Sequence, residues 1–305
     1  MFTNKTKFIR KKRLSFVSLS ESEIMLIHNK AKQASIFYTE SNKTSSGNMA
    51  GDLQSRVRGA GVDFEENKPY ESGSDSRHIN WRTFARTQQL YVNIYNEDKR
   101  PSTYIVLDKR QSMYFGTRNQ LKIKQALNLA IYSILRAMYQ QQKVSGVEIA
   151  NKPKWHSTYS GSNPILSFIE ELNAPIQQQN ISGESALNDI LAKLQLAEGS
   201  EVIIISDFHD IDKQTITSLY NYSRKHKISL LRIQDPIEIN LPKLGQYNIQ
   251  ANDNGPSLNI DCNNNAFTIA YNQSVSDKYS DYYDQCSNIG IDMMTYLTTD
   301  EIFKD

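Results

Sequence analysis

The sequence predicts an α/β protein with a mostly parallel sheet flanked by helices. From residue 103 onward, short apolar β-branched runs alternate with amphipathic helical patterns. Two of the runs, 103–108 and 201–208, are almost wholly apolar until they end on or near an aspartate. Runs of this kind are typical of strands buried on both faces. Strands that alternate with helices form βαβ crossovers, which give a largely parallel sheet.

The predicted elements define three parts of the chain. Strands are predicted at 90–95, 103–108, 144–150, 154–160, 201–208, 228–233 and 291–299, and helices at 20–39, 119–143, 164–172, 185–196, 212–227 and 276–290. Residues 1–19 form a basic tail, which we expect to be flexible. Residues 20–100 hold the first helix and an Arg- and Trp-rich extension, which we expect to pack on the main α/β domain at 101–305.

Composition and charge exclude several classes of protein. The 305 residues carry a net charge of +2, with 39% hydrophobic and 22% charged residues, which indicates a folded soluble protein. The only basic run, "KTKFIRKKR" at 5–13, has no aromatic interleaving on a sheet face, so we expect no nucleic-acid partner. An alternative to a solvated tail is contact with an anionic membrane surface or an acidic partner.

The expected cellular location rests on the lengths of the apolar segments and on the two cysteines. No window of 18 apolar residues occurs, so no transmembrane helix is predicted. Cys262 and Cys286 form no C-x-x-C pair and are expected to be reduced thiols. We therefore predict a cytoplasmic protein, with a peripheral position at the inner membrane through the basic tail as the alternative.

Two aspartates are expected at one edge of the sheet. Asp108 and Asp207 end predicted strands, and ligand crevices in such sheets lie at the carboxyl ends of the strands. With the hydroxyls of Ser112 and Ser185, they would form an oxygen set that suits Mg²⁺ or Mn²⁺. The alternative is that each aspartate only opens a loop or caps a helix.

Enzymatic interpretations of this edge are weaker. A phosphohydrolase of the haloacid dehalogenase type also begins with an apolar run and an aspartate, but it needs a second acid two residues on. Arg110 occupies that position. No G-x-G-x-x-G, G-x-S-x-G or Ser-His-Asp order is present. We expect His209 to be a surface histidine beside a turn.

Two blocks resemble a known bacterial family. "RGAGVDFEENKPYESGSDSRHINWRTFARTQQLYVNIYNEDKRPSTYIVLDKRQSMYFGT" at 58–117 and "DPIEINLPKLGQYNIQANDNG" at 235–255 resemble the signatures of the family called domain of unknown function 58. The family-signature block contains Tyr70, Gly73, Asp75, Arg77, Trp81, Ala85 and Arg86. Ser74 and Asn80 stand where the family pattern has aspartates. We expect this block to brace the sheet through buried hydrogen bonds and a tryptophan anchor; the alternative is a partner-binding surface.

The resemblance implies a von Willebrand factor A-like fold and a role as a non-enzymatic adaptor. Its expected partners are AAA+ ATPases of the MoxR type, in chaperone-like maturation or stress response, and other von Willebrand A-domain proteins. It also implies a metal-ion-dependent adhesion site with the pattern D-x-S-x-S. Asp108 matches the first acid and Ser112 the second serine, while Ser185 and Asp207 stand for the threonine and the acid of the other two loops.

Arg110 replaces the first serine of that site. A guanidinium and a divalent ion about 4 Å apart repel each other by several kcal/mol even at an effective dielectric near 20. We therefore expect Arg110 to take the place of the metal by pairing with Asp108, Asp207 or both, and we expect no cofactor. The alternative is that Arg110 swings away and Asp108, Ser112 and Asp207 hold Mg²⁺ or Mn²⁺, which would make the protein a metal-dependent ligand binder.

Overall fold

The structure is a computed structural model. It describes residues 17–46, 63–70, 79–96, 102–118, 120–175, 187–197, 199–242, 245–250 and 257–301. The chain forms two compact units: Met1–Tyr38 with Pro101–Asp305, and Thr39–Arg100. None of the helices in the described ranges is long and apolar enough to cross a lipid bilayer.

The elements of the main unit follow the predicted alternation. In chain order, its helices and strands are α1 (Glu21–Ser46, which continues past the unit boundary), β3 (Ser102–Asp108), α3 (Lys122–Tyr139), β4 (Lys143–Ile149), β5 (Lys154–Tyr159), α4 (Ser162–Asn173), α5 (Leu187–Leu191), β6 (Glu201–Ser206), α6 (Lys213–Ser223), β7 (Lys227–Gln234), α7 (Pro236–Ile239), β8 (Gln246–Gln250), β9 (Ser257–Asp261), α8 (Asn265–Asn288) and β10 (Asp292–Leu297). The second unit supplies β1 (Asp63–Pro69), α2 (Trp81–Thr87) and β2 (Tyr91–Asn96).

Six of the described strands form one sheet in the order β10-β7-β6-β3-β4-β5. Neighbouring strands are parallel except β5, which runs antiparallel to β4. The predicted α/β fold with a mostly parallel sheet flanked by helices is therefore confirmed. From β3 the chain crosses first to β4 on one side and later to β6 on the other. The carboxyl ends of β3 and β6 therefore form the topological switch point, where open α/β sheets hold their ligands.

Helices cover both faces of this sheet. On one face, Ile105, Ile203 and Leu231 pack in a core with α3, α4 and the buried Ile27 of α1. On the other face, Val106 and its neighbours pack against α5, α6 and α8. The central strands are buried on both faces because each of their side chains, whichever way it points, meets a helix layer.

The second unit is a hairpin with one short helix. β1 and β2 pair antiparallel, and Ile79 forms a bridge with Val92. The side chain of Asn80 caps α2 by accepting a hydrogen bond from Thr83 N at 2.9 Å. Gln88 ends the helix in the left-handed conformation with φ 57°.

Several element predictions need correction. The predicted helix 185–196 is only Leu187–Leu191 within the described residues, and the last long helix begins at Asn265 instead of 276. The apolar residues of its first half form no single buried face, and Phe267 and Ile269 are exposed, so periodicity did not reveal this part of the helix. Asn264 caps the helix by accepting from Phe267 N at 3.2 Å. The strand β1, "DFEENKP", was missed because its charged sequence has no apolar alternation.

Candidate functional site

Asp108, the last residue of β3, lies at the switch point with its carboxylate fully buried. The backbone N and the Nε of Arg110 donate to Asp108 Oδ1 at 2.9 and 3.0 Å, and Nη2 donates to Oδ2 at 2.7 Å. Ser206, at the end of β6, donates its hydroxyl to Oδ2 at 2.6 Å. Both oxygens of Asp108 are therefore engaged by groups of the chain itself.

Arg110 also binds a second carboxylate. Its Nη2 donates to Asp210 Oδ1 at 3.0 Å, and its Nη1 donates to Asp210 Oδ2. The Arg110 side chain is only 2% exposed, so the guanidinium is held between the two acids within the protein. Burial lowers the pKa of Arg110, but the hydrogen bonds and charges of Asp108 and Asp210 outweigh it and raise the pKa well above its usual range.

Asp210 joins the loop after β6 to the start of α5. Besides Arg110, its Oδ2 accepts a hydrogen bond from Leu187 N at 3.3 Å. Burial raises the pKa of Asp210, but its bonds to Arg110 outweigh that effect and leave the pKa lowered. The carboxylate is thus ionised and bound, and it fixes where the chain enters α5.

Asp207 forms its ion pair with Lys122 and not with Arg110. Lys122 Nζ donates to Asp207 Oδ2 at 2.8 Å and to Glu238 Oε1 at 2.6 Å. Arg110 is expected to pair with Asp108, Asp207 or both; the structure contains the pairing with Asp108, and the second acid that Arg110 binds is Asp210 and not Asp207. Burial raises the pKa of Asp207, but the bonds to His209 and Lys122 lower it well below the usual range.

Lys122 was not identified from the sequence. It is the first residue of α3 and its side chain is 2% exposed. A lysine in the first helical turn is disfavoured by the helix dipole, and acidic partners offset that cost. That position was the available signal. Because Lys124 lies in the same first turn, the signal did not single out Lys122.

Glu238 is positioned by the D-P-I-E motif at 235–238. Asp235 caps α7 by accepting from Ile237 N at 3.1 Å, and Glu238 Oε2 accepts from Asp235 N at 2.8 Å. The Asp235 carboxylate also accepts from Thr117 N at 2.9 Å and from the Thr298 hydroxyl at 2.8 Å. The motif therefore connects the loop after β3 to α7 and to the turn after β10.

Ser112 and His209 form the exposed part of this rim. His209 Nδ1 lies 2.8 Å from Asp207 Oδ1 and 3.5 Å from Ser112 Oγ. A catalytic relay uses the two different nitrogens of the ring, so these residues do not form one. The pKa of His209 is raised by its bond to Asp207, and its side chain is 46% exposed.

The rest of the first loop gives the rim its shape. Met113 is fully buried, whereas the ring of Phe115 is 40% exposed and lies 5.8 Å from Lys122 Nζ. Gly116 is required by close packing, because a Cβ there would collide with the carbonyl oxygen of Gln120. The M-x-F-G part of the signature therefore fixes one residue in the core and presents an aromatic ring at the surface.

Lys109, between Asp108 and Arg110, points away from the rim. Its ammonium pairs with Glu148 at 2.8 Å and donates to Leu172 O at 2.6 Å at the end of α4. His156 Nε2 lies 2.7 Å from the same glutamate. Burial lowers the pKa of Lys109, and the charge of Glu148 opposes that shift. This buried group ties β3 to β4, β5 and α4.

The donor set does not fit a divalent metal ion. Asp108 is engaged by Arg110 and Ser206, and Asp207 by Lys122 and His209. Among the described residues, no three His, Cys, Asp or Glu side chains converge in a way that could hold a metal. Ser185 lies outside the described residues. A cation at this rim would have to displace buried charges that are part of the chain.

The family-signature block is only partly described. Gly73, Asp75 and Arg77 lie outside the described residues. The half-buried Tyr70 donates its backbone N to Leu90 O at 2.9 Å. Trp81, Ala85 and Arg86 all lie on α2, which buries none of its residues. The expected buried tryptophan anchor is wrong, because Trp81 is 64% exposed.

The fold and the rim define an α/β protein whose strand-end crevice is filled by its own basic side chains. Residues 66–281 match the family described as protein of unknown function DUF58. The match spans more than half of the chain, and the protein therefore belongs to the DUF58 family.

Curated relatives include uncharacterized proteins from Mycobacterium tuberculosis and Mycobacterium bovis, each 23% identical over 219 residues. The match covers 68% of this chain and 66% of each relative. Among solved structures, the conserved hypothetical protein BatB from Bacteroides thetaiotaomicron is 14% identical, with a TM-score of 0.39, over 62% of this chain and 98% of that chain. An aerotolerance-related membrane protein from Bacteroides fragilis is 16% identical, with a TM-score of 0.42, over 66% of this chain and 92% of that chain.

Proposed function

We propose that this protein is a non-enzymatic interaction module that works with a MoxR-type AAA+ ATPase in chaperone-like maturation or stress response. In this proposal the rim at the ends of β3 and β6 is a degenerate metal-ion-dependent adhesion site. It binds a protein partner directly, without a metal ion. The protein acts in the cytoplasm, with peripheral contact to the inner membrane through its basic tail.

One observation carries the proposal: the buried guanidinium of Arg110 lies between Asp108 and Asp210. A metal-dependent adhesion site needs free carboxylate and hydroxyl oxygens around the ion. Here a fixed positive charge already occupies the position between the acids, and a second one, Lys122, neutralises Asp207. A binding role that needs no metal is compatible with this arrangement, whereas metal-assisted chemistry is not.

Membership of the DUF58 family supports the choice of partner, since the family signature resembles that of proteins encoded beside MoxR-type ATPases. The exposed ring of Phe115 supports the choice of surface. Exposed aromatic residues at the centre of a patch are frequent anchors in protein interfaces.

The test is direct binding of the purified full chain to the MoxR-type ATPase of the same organism, measured by interferometry. Phe115→Ala is expected to weaken binding about tenfold, as for an interface anchor. The control Tyr220→Ala removes another exposed aromatic side chain, in the last turns of α6, and should change nothing. Absence of binding by the natural protein would refute the partnership. An equal loss in both variants would refute the assignment to the rim.

A further inference from the structure

Two polar side chains near the carboxyl end of β7 are buried with unsatisfied hydrogen-bonding groups. Gln234 is 1% exposed, and neither atom of its amide has a hydrogen-bond partner among the residues that the structure describes. The Nη1 of Arg232 is also buried and unpartnered within the described ranges. A buried amide or guanidinium nitrogen without a partner costs free energy, so its presence in a folded protein indicates a missing partner.

The two side chains lie on one face of the sheet, beneath α8. Residues two apart on a strand point to the same side, and Leu230, two before Arg232, packs in the core on the α8 side. The centroid of the Tyr279 ring, on α8, lies 4.0 Å from Cζ of Arg232. Burial raises the pKa of Tyr279, and the charge of Arg232 and the amide of Gln234 oppose that shift. Tyr279 is therefore close to both groups, and we call Arg232, Gln234 and Tyr279 the β7 polar cluster.

The guanidinium of Arg232 has no acidic partner within the part of the chain that the structure describes. Its Nε donates to Thr295 Oγ1 of the neighbouring β10 at 3.1 Å. The nearby Glu238 is paired with Lys122 at 2.6 Å instead. Burial lowers the pKa of Arg232, and the charges of Tyr279 and Glu238 offset that shift only in part. A half-buried cation in this position favours an anion as its missing partner.

The β7 polar cluster borders the protein surface. Tyr279 is half-buried, and Thr295 is exposed. The Nζ of the exposed Lys278 lies 5.9 Å from the centroid of the Tyr279 ring and adds positive charge there. The acids Asp277 and Asp281 are two residues before and after Tyr279, so they lie on the opposite side of α8. Rotation of the Tyr279 ring away from the guanidinium would therefore admit a small anionic group.

We propose that the β7 polar cluster binds a carboxylate group whose adjacent carbon atom carries a hydrogen-bond donor. The guanidinium of Arg232 pairs with the carboxylate, and Nε2 of Gln234 donates to it. The Oε1 of Gln234 is an acceptor, and it receives the O–H or N–H of the ligand. Two sources have this chemistry: a small 2-hydroxy acid, and the C-terminus of a peptide, in which the last N–H lies beside the carboxylate.

A carboxylate of this kind satisfies the β7 polar cluster better than a water molecule does. A bound water can form hydrogen bonds with the Gln234 amide, but it brings no charge to the Arg232 guanidinium. A simple carboxylate brings the charge and leaves Oε1 of Gln234 without a donor. Only a ligand with both features pairs all of the unsatisfied atoms.

The test is saturation-transfer NMR on the full chain with two probes. Lactate represents the 2-hydroxy acids, and N-acetylalanine represents a peptide C-terminus. Propanoate is the control that lacks the hydroxyl, and lactamide and N-acetylalaninamide are the controls that lack the charge. At least one probe should bind with a dissociation constant on the order of 1 mM, as expected for so small a ligand. Its controls should bind at least about tenfold more weakly, because they leave a buried group unpaired.

Substitutions locate the site. Arg232→Gln should abolish binding of both probes, whereas the control Arg224→Gln removes an exposed guanidinium elsewhere and should have no effect. Gln234→Met should make lactate bind as weakly as propanoate does. Gln234→Met should also leave the melting temperature of the ligand-free protein undiminished, because it removes two unpaired buried groups. Circular dichroism checks that each variant is folded.

Several results would overturn the proposal. These are the absence of binding by both probes, equal binding of each probe and its controls, and unchanged binding in Arg232→Gln. A clear loss of melting temperature in Gln234→Met would show that the amide is already satisfied, by a buried water molecule for example. Inorganic phosphate is measured in parallel, and binding of phosphate alone would assign the site to a different anion. None of these results involves the ATPase or Phe115, so the test is independent of the proposed function.

Discussion

The guanidinium of Arg110 is bound to the carboxylate of Asp108, two positions before it in the chain, and both are buried. The same guanidinium reaches Asp210, one hundred residues later, so a single side chain connects the loops after β3 and β6. Arg110 is the shared counter-charge of both acids.

The first prediction concerns stability. Arg110→Met leaves the buried Asp108 without its counter-charge and should lower the free energy of unfolding by about 3–5 kcal/mol. Urea unfolding at neutral pH measures the loss. The control Arg224→Met removes an exposed arginine, and its effect should be under about 0.5 kcal/mol. Equal effects of the two substitutions would contradict the buried role of Arg110.

The second prediction concerns metal binding. The natural protein should give no heat with Mg²⁺ or Mn²⁺ in calorimetry. Arg110→Ser alone should not create a site, because Lys122 still occupies Asp207. Arg110→Ser with Lys122→Met removes both cations and should allow binding with a dissociation constant on the order of 1 mM.

The Asp108→Ala substitution serves as the control for the calorimetric experiment. Adding Asp108→Ala to the double variant should abolish the heat, since it removes one of the freed carboxylates. Binding by the natural protein that is lost in Asp108→Ala would instead establish the metal-dependent alternative.

The third prediction concerns acid pH. The pKa of Asp207 in the folded protein lies below its unfolded value of about 3.9, so its stabilising effect is complete above that value. The effect is lost as the pH falls through the folded-state pKa. Asp207→Asn should cost about 1.5–3 kcal/mol at pH 7, and the cost should shrink below about pH 4. Unfolding in urea at pH 7, 4 and 3 measures it, with the exposed Asp292→Asn as control. A cost independent of pH would contradict the prediction.

The fourth prediction concerns His209, whose contribution to stability changes with pH in the direction opposite to that of Asp207. The folded-state pKa of His209 is raised, so its stabilising effect is complete below the unfolded value of about 6.5 and is lost as the pH rises through the folded-state pKa. His209→Gln should therefore destabilise more at pH 5.5 than at pH 8.5. In an Asp207→Asn background this pH dependence should disappear, because the imidazolium has lost its partner. If it persists there, another group is responsible.

The parallel sheet and part of the rim, namely Asp108, Asp207 and Arg110, could be predicted from the sequence. The apolar runs ending at Asp108 and Asp207 placed both acids at one edge, because parallel strands share their carboxyl ends. Arg110 could be recognised as a cation in the wrong place since it lies two residues from Asp108. These inferences need only local pattern and the geometry of a parallel sheet.

The remaining parts of the rim depend on contacts between distant segments. Asp210 lies in the loop beyond β6, and nothing in "SDFHD" ranks it above Asp207 as the partner of Arg110. Lys122 reaches Asp207 only because α3 packs with its amino end against β6. Trp81 is exposed where an aromatic residue in a signature block suggested burial. Tertiary packing decides each of these cases.

The hydrogen bonds of the Asp235 carboxylate couple the local unfolding of segments that are far apart in the sequence. It binds Thr117 and Thr298, and the backbone N of Thr298 donates to Gln234 O at 2.9 Å. Three distant segments therefore meet at one buried carboxylate, and opening at any one of them leaves that carboxylate with fewer hydrogen-bond donors. Hydrogen exchange at the amides of Thr117 and Thr298 is expected to follow one shared opening event, so the last turn of the main unit and the loop behind the rim unfold as one cooperative unit.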